Sequence, residues 1–313
     1  MRSEELGVRS EANLCVDFAG VRFKNPVVVA SGTFGFGREY SEFYDLALLG
    51  GVCVKGLTAK PKLGNPPPRI AETPMGMLNS VGLQNPGIDA FISDELPFLR
   101  GFDTVIIANI SGNTIEEYAD MAEKLSDAAV DMIEVNVSCP NVNAGGIHFG
   151  TSPDAVAKIT DAVKKRSRIP VMVKLSPNVT DIAEIAKAAE GAGADAISLI
   201  NTILGMRIDI VSRRPVLFNN TGGLSGPAVF PVAVRMVWQV SKAVKVPVLG
   251  MGGIFNWDSA AEMMLAGASL VGVGTACFDN PYAPVNIIKG IEEYLIRSGI
   301  NAASEITGRV DLN

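Results

Sequence analysis

Histidine is almost missing from this chain: His148 is the only one in 313 residues. A His-rich metal centre is therefore excluded, and a Ser-His-Asp device would have to use that one residue. Cysteine is scarce too. Cys15, Cys53, Cys139 and Cys277 lie far apart with no C-x-x-C pair, which argues against a zinc ribbon or an iron–sulfur cluster ligated by this chain alone. Charge is thin at 19%, with 27 basic residues against 33 acidic and a net charge of −6. No global basic surface invites nucleic acid, so none is expected as a partner. No apolar run reaches the length of a membrane span. The opening MRSEELGVRSEANLC carries acids and no apolar h-region, so a signal peptide is not expected and the cytoplasm is the expected compartment. In that compartment the four cysteines read as reduced thiols. Nor does a G-x-G-x-x-G follow any strand: Gly250-x-Gly252 and Gly272-x-Gly274 both lack the third glycine.

What is abundant is apolar residue and glycine, 48% hydrophobic with 32 glycines. They are organised as one repeating unit: a short β-branched run, a Gly/Asn/Ser/Lys-rich end, then a helix-period stretch. The runs are Val27–Ala30, Val52–Lys55, Val105–Asn109, Met132–Asn136, Val171–Leu175, Ala196–Asn201, Val248–Gly250 and Leu270–Val273. Helices are predicted over Thr114–Ala128, Asp154–Arg166, Asp181–Ala192, Phe230–Val244, Trp257–Ala266 and Pro284–Arg297, several opened by a capping residue such as Ser152 or Asp181. Continuous apolar strands alternating with helices imply a parallel sheet buried on both faces. Eight units predict a closed (β/α)8 TIM barrel, an α/β fold, occupying residues 1–313 as one domain; a doubly wound sheet is the alternative. Leu14–Lys24, with Ala19-Gly20 at its centre, reads as an N-terminal β-hairpin. Two long connections, Gly56 to about Asn85 after the second strand and Thr202 to Pro227 after the sixth, sit on the face where barrel enzymes place their active sites.

Polar residues gather where the strands end: Ser31 and Gly32, Lys55, Asn109, Asn136, Lys174, and Asn201-Thr202. Six polar strand ends on one rim are hard to assign to folding alone. The seventh and eighth strands run into Gly250-Met251-Gly252-Gly253 and Gly272-Val273-Gly274-Thr275. Paired loops of this kind commonly hold a phosphate, although each alone could be a tight turn. A lysine within an apolar strand, as Lys174 is, calls for an anionic partner, a route to the rim, a Schiff-base role or a role beside a reduced cofactor. Cys15, Cys53 and Cys277 read as small buried hydrophobes. Cys139 stands apart in Ser-Cys-Pro-Asn just past a strand end; His148 lies nine residues later, so a Cys-His pair is conceivable, but a lone histidine is more often structural.

NVSCPNV at 136–142, GMLNSVGLQNPG at 76–87 and VKLSPN at 173–178 resemble dihydroorotate dehydrogenase. So do INTILGM at 200–206, TGGLSGPA at 221–228, GMGGI at 250–254 and VGTACF at 273–278. The cysteine in NVSCPNV resembles class 1, and the run from INTILGM to GGLSGPA resembles class 1B, the NAD-linked form. The resemblance implies a (β/α)8 barrel holding FMN that oxidises dihydroorotate to orotate in pyrimidine synthesis, with Cys139 as catalytic base. It implies substrate contacts from Lys55, Asn79, Ser80, Val81, Gly82, Leu83, Asn136, Asn201 and Thr202. It implies an FMN site of Ser31, Lys55, Gly56, Asn109, Asn136, Lys174, Ile200, Gly226, Gly252, Gly253, Gly274 and Thr275. It further implies a partner subunit carrying FAD and a 2Fe-2S cluster that passes electrons to NAD, in a heterotetramer built on a homodimer of the barrel. The rivals are a class 1A fumarate-linked enzyme, a dihydropyrimidine dehydrogenase and, in a different class, a Schiff-base aldolase using Lys174.

Overall fold

A computed structural model describes residues 11–137 and 149–313. Eight short parallel strands follow one another around a closed barrel: β1 (Val27–Val29), β2 (Gly51–Cys53), β3 (Val105–Ile110), β4 (Met132–Asn136), β5 (Val171–Lys174), β6 (Ala196–Leu199), β7 (Val248–Met251) and β8 (Leu270–Val273). The ring closes where Val271–Val273 pairs with Val27–Val29, which rules out the open doubly wound sheet. Strand ends differ from the expected ones by up to two residues. Asn201 lies beyond β6, although its N–H still donates to the Leu175 carbonyl just past β5 at 3.2 Å, and Lys55 lies beyond β2 because the chain leaves the ladder there. The Lys55 N–H donates to the Gly35 carbonyl at 2.9 Å instead of to a neighbouring strand.

The helices α1 (Ile115–Ser126), α2 (Pro153–Arg166), α3 (Ile182–Gly191), α4 (Phe230–Ala243), α5 (Trp257–Leu265) and α6 (Ala283–Arg297) fall where the periodicity places them. Four of the starts are capped by side chains: Thr114 accepts from the Glu117 N–H, Ser152 from Ala155, Asp181 from Ala183 and Glu184, and Asn256 and Ser259 form a reciprocal box, whereas α4 and α6 have no side-chain cap. A helical segment over residues 88–99, containing Pro97, was not anticipated; it is short and begins directly after Pro86-Gly87, so no long apolar period announces it. Among the described residues, no helix is long and apolar enough to cross a membrane.

The strands separate two apolar layers. Val27, Val29, Val52, Ile106, Ala108, Ile133, Val135, Val171, Val173 and Ile197 face the helices. The alternate positions Val28, Cys53, Ile107, Met132, Met172, Ala196, Leu249 and Leu270 fill the barrel, as a period of two requires. The hairpin Val16–Phe18/Val21–Phe23 turns at Ala19 and Gly20, both with positive φ (54° and 78°), the geometry of a two-residue primed turn. Its Phe18 and Phe23 are fully buried against the inner layer and so plug the amino ends of the strands.

Both long connections contain more structure than loops. Ile70–Thr73 and Gly76–Asn79 from the first pair with Gly222–Ser225 and Ile203–Gly205 from the second, making one four-stranded antiparallel sheet. The sequence hides it because the pairing Gly223↔Asn79 joins residues 144 apart, with no local turn between them.

Candidate active site

Read upward along the inner face, each strand changes from apolar to polar in steps of two. Ile107 is followed by Asn109, Met132 by Glu134 and Asn136, Met172 by Lys174, and Ala196 by Ser198. The polar members meet just inside the carboxyl end of the barrel. Glu134 is completely buried. Its Oε1 accepts from Ser198 Oγ at 2.7 Å; its Oε2 accepts from Asn109 Nδ2 and from Cys53 Sγ at 3.2 Å, and faces Lys174 Nζ at 3.7 Å. Four strands thus converge on one carboxylate. This is the anionic partner that a lysine only 4% exposed requires. Burial, with the Glu134 charge added, pushes the Cys53 thiol well above its ordinary range, so it stays protonated and donates. Cys53 is thus buried in the inner cluster as expected and also serves the polar floor; Cys15 is only half-buried, a correction to its reading as a small buried hydrophobe. Cys277 is buried as expected.

Around this floor the expected residues fall into three groups. In the first, Ser31 Oγ is 3.3 Å from Lys174 Nζ, and a Cβ added to Gly32 would stand 3.9 Å from Lys55 Nζ. Both lysines therefore border the Ser31-Gly32 turn. Asn136 is buried, its carbonyl accepting from Tyr118 Oη at 2.9 Å. Among the described residues, the buried Asn109 Oδ1 has no hydrogen-bond partner, and a Cβ on Gly56 would come within 2.9 Å of it.

The second group is the pair of late loops. Gly252, Gly253 and Gly226 all have positive φ (124°, 77° and 100°). A Cβ on Gly253 would collide with the Gly226 carbonyl at 2.8 Å, and one on Gly252 with Ile200 at 2.9 Å, so these backbones approach too closely for any side chain. Thr275 Oγ1 donates to Ser225 Oγ at 2.8 Å. A Cβ on Gly274 would make ordinary contact without collision, Ala30 standing 3.7 Å away. By contrast, Gly250 and Gly272 are packing positions, where a Cβ would meet Met263 at 2.7 Å and Met251 at 2.8 Å.

The third group lies on the small sheet. Asn79 Nδ2 donates to the Gly223 carbonyl at 3.3 Å. A Cβ on Gly223 would overlap Thr202 Oγ1, and the Thr202 N–H donates to Asn201 Oδ1 at 2.9 Å. Ser80, Val81, Gly82 and Leu83 form a turn with positive φ at Gly82 and Leu83. Leu83 reaches down to Gly56, since a Cβ there would stand 3.2 Å from Leu83 Cδ2. The turn is tied by two asparagines that sequence reasoning missed. Asn65 Nδ2 donates to the Ser80 carbonyl at 2.8 Å, and the buried Asn85 donates to the Leu83 carbonyl at 2.7 Å while accepting from the Gly87 N–H at 2.8 Å. A cavity of about 650 Å³ opens beside this turn, bounded by Gly35, Phe36, Arg38 and Glu39 and by Pro61–Leu63, Gln84–Pro86 and Glu95; none of the expected site residues lines it. Cys139 and His148 lie outside the described residues.

Glu134, Ser198 and Cys53 also escaped the sequence reading, although Met132-x-Glu134-x-Asn136 carried the signal. An acid in step with an inward asparagine must enter the barrel. Among the described residues, no group of three or more His, Cys, Asp or Glu side chains could hold a metal ion.

A closed parallel barrel whose lysines and amides crowd the carboxyl ends of its strands, beside glycine loops on the last two, has the layout of a barrel enzyme. Comparison with known proteins narrows this. Residues 13–295 match the family described as Dihydroorotate dehydrogenase. A protein of Alkaliphilus oremlandii named "Dihydroorotate dehydrogenase B (NAD(+)), catalytic subunit" is 60% identical over 298 residues, 95% of this chain and 99% of that one. Proteins of the same name from Thermoanaerobacter sp. strain X514 and Geotalea daltonii are 56% and 54% identical, over 96% and 97% of this chain and the whole of each relative. The chain belongs to the dihydroorotate dehydrogenase family, a family of oxidoreductases.

Proposed function

We propose that the chain is the FMN-bearing catalytic subunit of an NAD-linked dihydroorotate dehydrogenase acting in pyrimidine synthesis. The observation that carries this is the convergence of Lys174, Asn109, Ser31 and Gly56 below the two glycine loops. These residues fit a flavin mononucleotide. Asn109 Oδ1 is a buried acceptor awaiting a donor, and Gly56 leaves beside it the space that a Cβ would fill. An isoalloxazine ring presents one N–H and several acceptors along its pyrimidine edge, which suits an acceptor from Asn109 and donors from Lys174 and Lys55. Gly252, Gly253, Gly274 and Thr275, with Gly226 and Ile200 packed beneath, would receive the phosphate through backbone amides and a hydroxyl.

FMN, when bound, supplies the hydride acceptor that no side chain can provide. Cys139, in the segment after Asn136, would take the proton from the carbon adjacent to the substrate's carbonyl. Asn79, Asn136, Asn201 and Thr202 would orient the dihydroorotate ring, whose edge alternates donors and acceptors. Lys55 would meet its carboxylate. Ser80, Val81, Gly82 and Leu83, held by Asn65 and Asn85, would cover the substrate and exclude water. Lys174 would stabilise negative charge that appears on its neighbour during reduction. Its ion pair with Glu134 supports that role over a Schiff-base amine.

The relatives' shared name, with NAD(+) and "catalytic subunit" in it, supports the NAD-linked reading over the fumarate-linked one and supports a second subunit. That subunit would carry FAD and a 2Fe-2S cluster, in a cytoplasmic heterotetramer around a homodimer of the barrel. The test is turnover with dihydroorotate. The isolated FMN-loaded chain should reduce artificial acceptors and react poorly with NAD, and adding the partner should restore NAD reduction. Efficient NAD reduction by the pure chain would refute the two-subunit reading, and efficient fumarate reduction would assign it to the other class.

A further inference from the structure

We propose that Glu134 is a positioning residue of the reaction: its buried carboxylate fixes both the amide of Asn109 and the ammonium of Lys174 in the orientation they present to the flavin. The inference rests on the FMN reading above and goes beyond it, because Glu134 touches neither flavin nor substrate in that reading. Its geometry is specific. Ser198 Oγ holds Oε1 from one side at 2.7 Å, while Oε2 is shared by Asn109 Nδ2, Cys53 Sγ and Lys174 Nζ. A carboxylate can only accept, so it selects one of the two amide orientations open to Asn109. The nitrogen is spent on Glu134, and Oδ1 is left pointing away beside Gly56 as an acceptor unpartnered among the described residues. The same oxygen draws Lys174 Nζ to within 3.7 Å while Ser31 holds it from the other side. With Glu134 fully buried and Lys174 only 4% exposed, solvent cannot screen or replace either contact. Glu134 also sets how much of the lysine's charge remains for the flavin, since an anion on one side of an ammonium opposes its effect on the other.

Glu134→Gln tests this in the FMN-loaded chain. The glutamine is the same size but is neutral and brings its own N–H, so Asn109 is free to flip and the countercharge is gone. The reduction potential should rise, with the reduced form favoured at least about tenfold more than in the parent, about 30 mV for a two-electron couple. The flavin absorption band should shift as its hydrogen bonds change. In a Lys174→Met background the same substitution should move the potential by less than half as much. An unchanged potential overturns the proposal, and so does an equal shift in both backgrounds, which would mean a diffuse charge effect with no positioning of Lys174. Should Glu134→Gln fail to fold, Ser198→Ala carries the test, since it leaves the charge and releases Oε1. It should alter the reduced-to-oxidised ratio at least about threefold, the worth of one modest hydrogen bond; an unaltered ratio overturns the proposal. A parent chain that takes up no FMN at all would remove the reading on which the inference stands, an outcome distinct from normal FMN uptake with an unmoved potential.

Discussion

Removing the Lys174 ammonium should cost the folded protein more than any exposed ion pair could. In Lys174→Met the side chain keeps most of its volume, so the change is largely electrostatic. Glu134 is then left as a fully buried carboxylate. Breaking a buried pair by deleting one partner generally costs about 3–5 kcal/mol, because the other charge stays desolvated. Here Ser198, Asn109 and Cys53 still donate to the carboxylate, which places the expected loss near the lower end, about 3 kcal/mol. By contrast, the exposed Lys165–Asp161 pair on α2 should be worth no more than about 1 kcal/mol. The assay is urea unfolding of flavin-free protein near pH 7, with the midpoint and slope measured for the parent, Lys174→Met and the double variant with Glu134→Gln. The double variant should recover most of the loss, since replacing both members of a buried pair is often neutral. A loss below about 1 kcal/mol in the single variant, or no recovery in the double, would refute the argument that Lys174 and Glu134 form one buried unit. Flavin titration of the single variant should also show weakened FMN retention. Unchanged retention and reduction rate would leave Lys174 a purely structural residue.

Cys139→Ala should retain FMN and orotate while slowing flavin reduction by dihydroorotate by a factor on the order of 10² or more; near-normal reduction in stopped flow would remove Cys139 from the mechanism. Gly56→Ala should displace the Asn109 amide, since its Cβ would stand 2.9 Å from Oδ1, and so bind FMN poorly; an unaltered flavin content on purification would contradict the placement of the ring beside Gly56. Burial raises the Cys277 thiol from 9.0 to about 12, so between those values the native protein keeps a proton that the unfolded chain has released. The contribution of this thiol to stability should be fully present below pH 9 and then fall by about 1.4 kcal/mol per pH unit as pH rises toward 12. Cys277→Ala should flatten that slope in unfolding titrations, and an unchanged slope would count against it.

The barrel was legible because its signal is local. Eight β-branched runs alternating with capped helices need no tertiary information, and the positions of α1 to α6 follow from their apolar period and caps such as Thr114 and Asp181. Strand ends were less so, since Lys55 departs from the ladder into a contact with Gly35 that only the fold defines. The small sheet was invisible because its strands pair across 144 residues. The Glu134 floor was partly readable: Met132, Glu134 and Asn136 share one face by period two, but the meeting of that acid with Cys53, Asn109, Lys174 and Ser198 depends on ring closure. Gly250 and Gly272 show the opposite error that motif reading invites. They stand in glycine-rich runs beside the loops, yet their role is to admit Met263 and Met251.

The visible spectrum of the purified chain, before and after anaerobic addition of dihydroorotate, tests the central claim most directly. The chain should carry a flavin absorption band, or acquire one stoichiometrically on adding FMN, and dihydroorotate should bleach it. A chain that binds no FMN, or a bound flavin whose band dihydroorotate leaves untouched, would contradict the assignment.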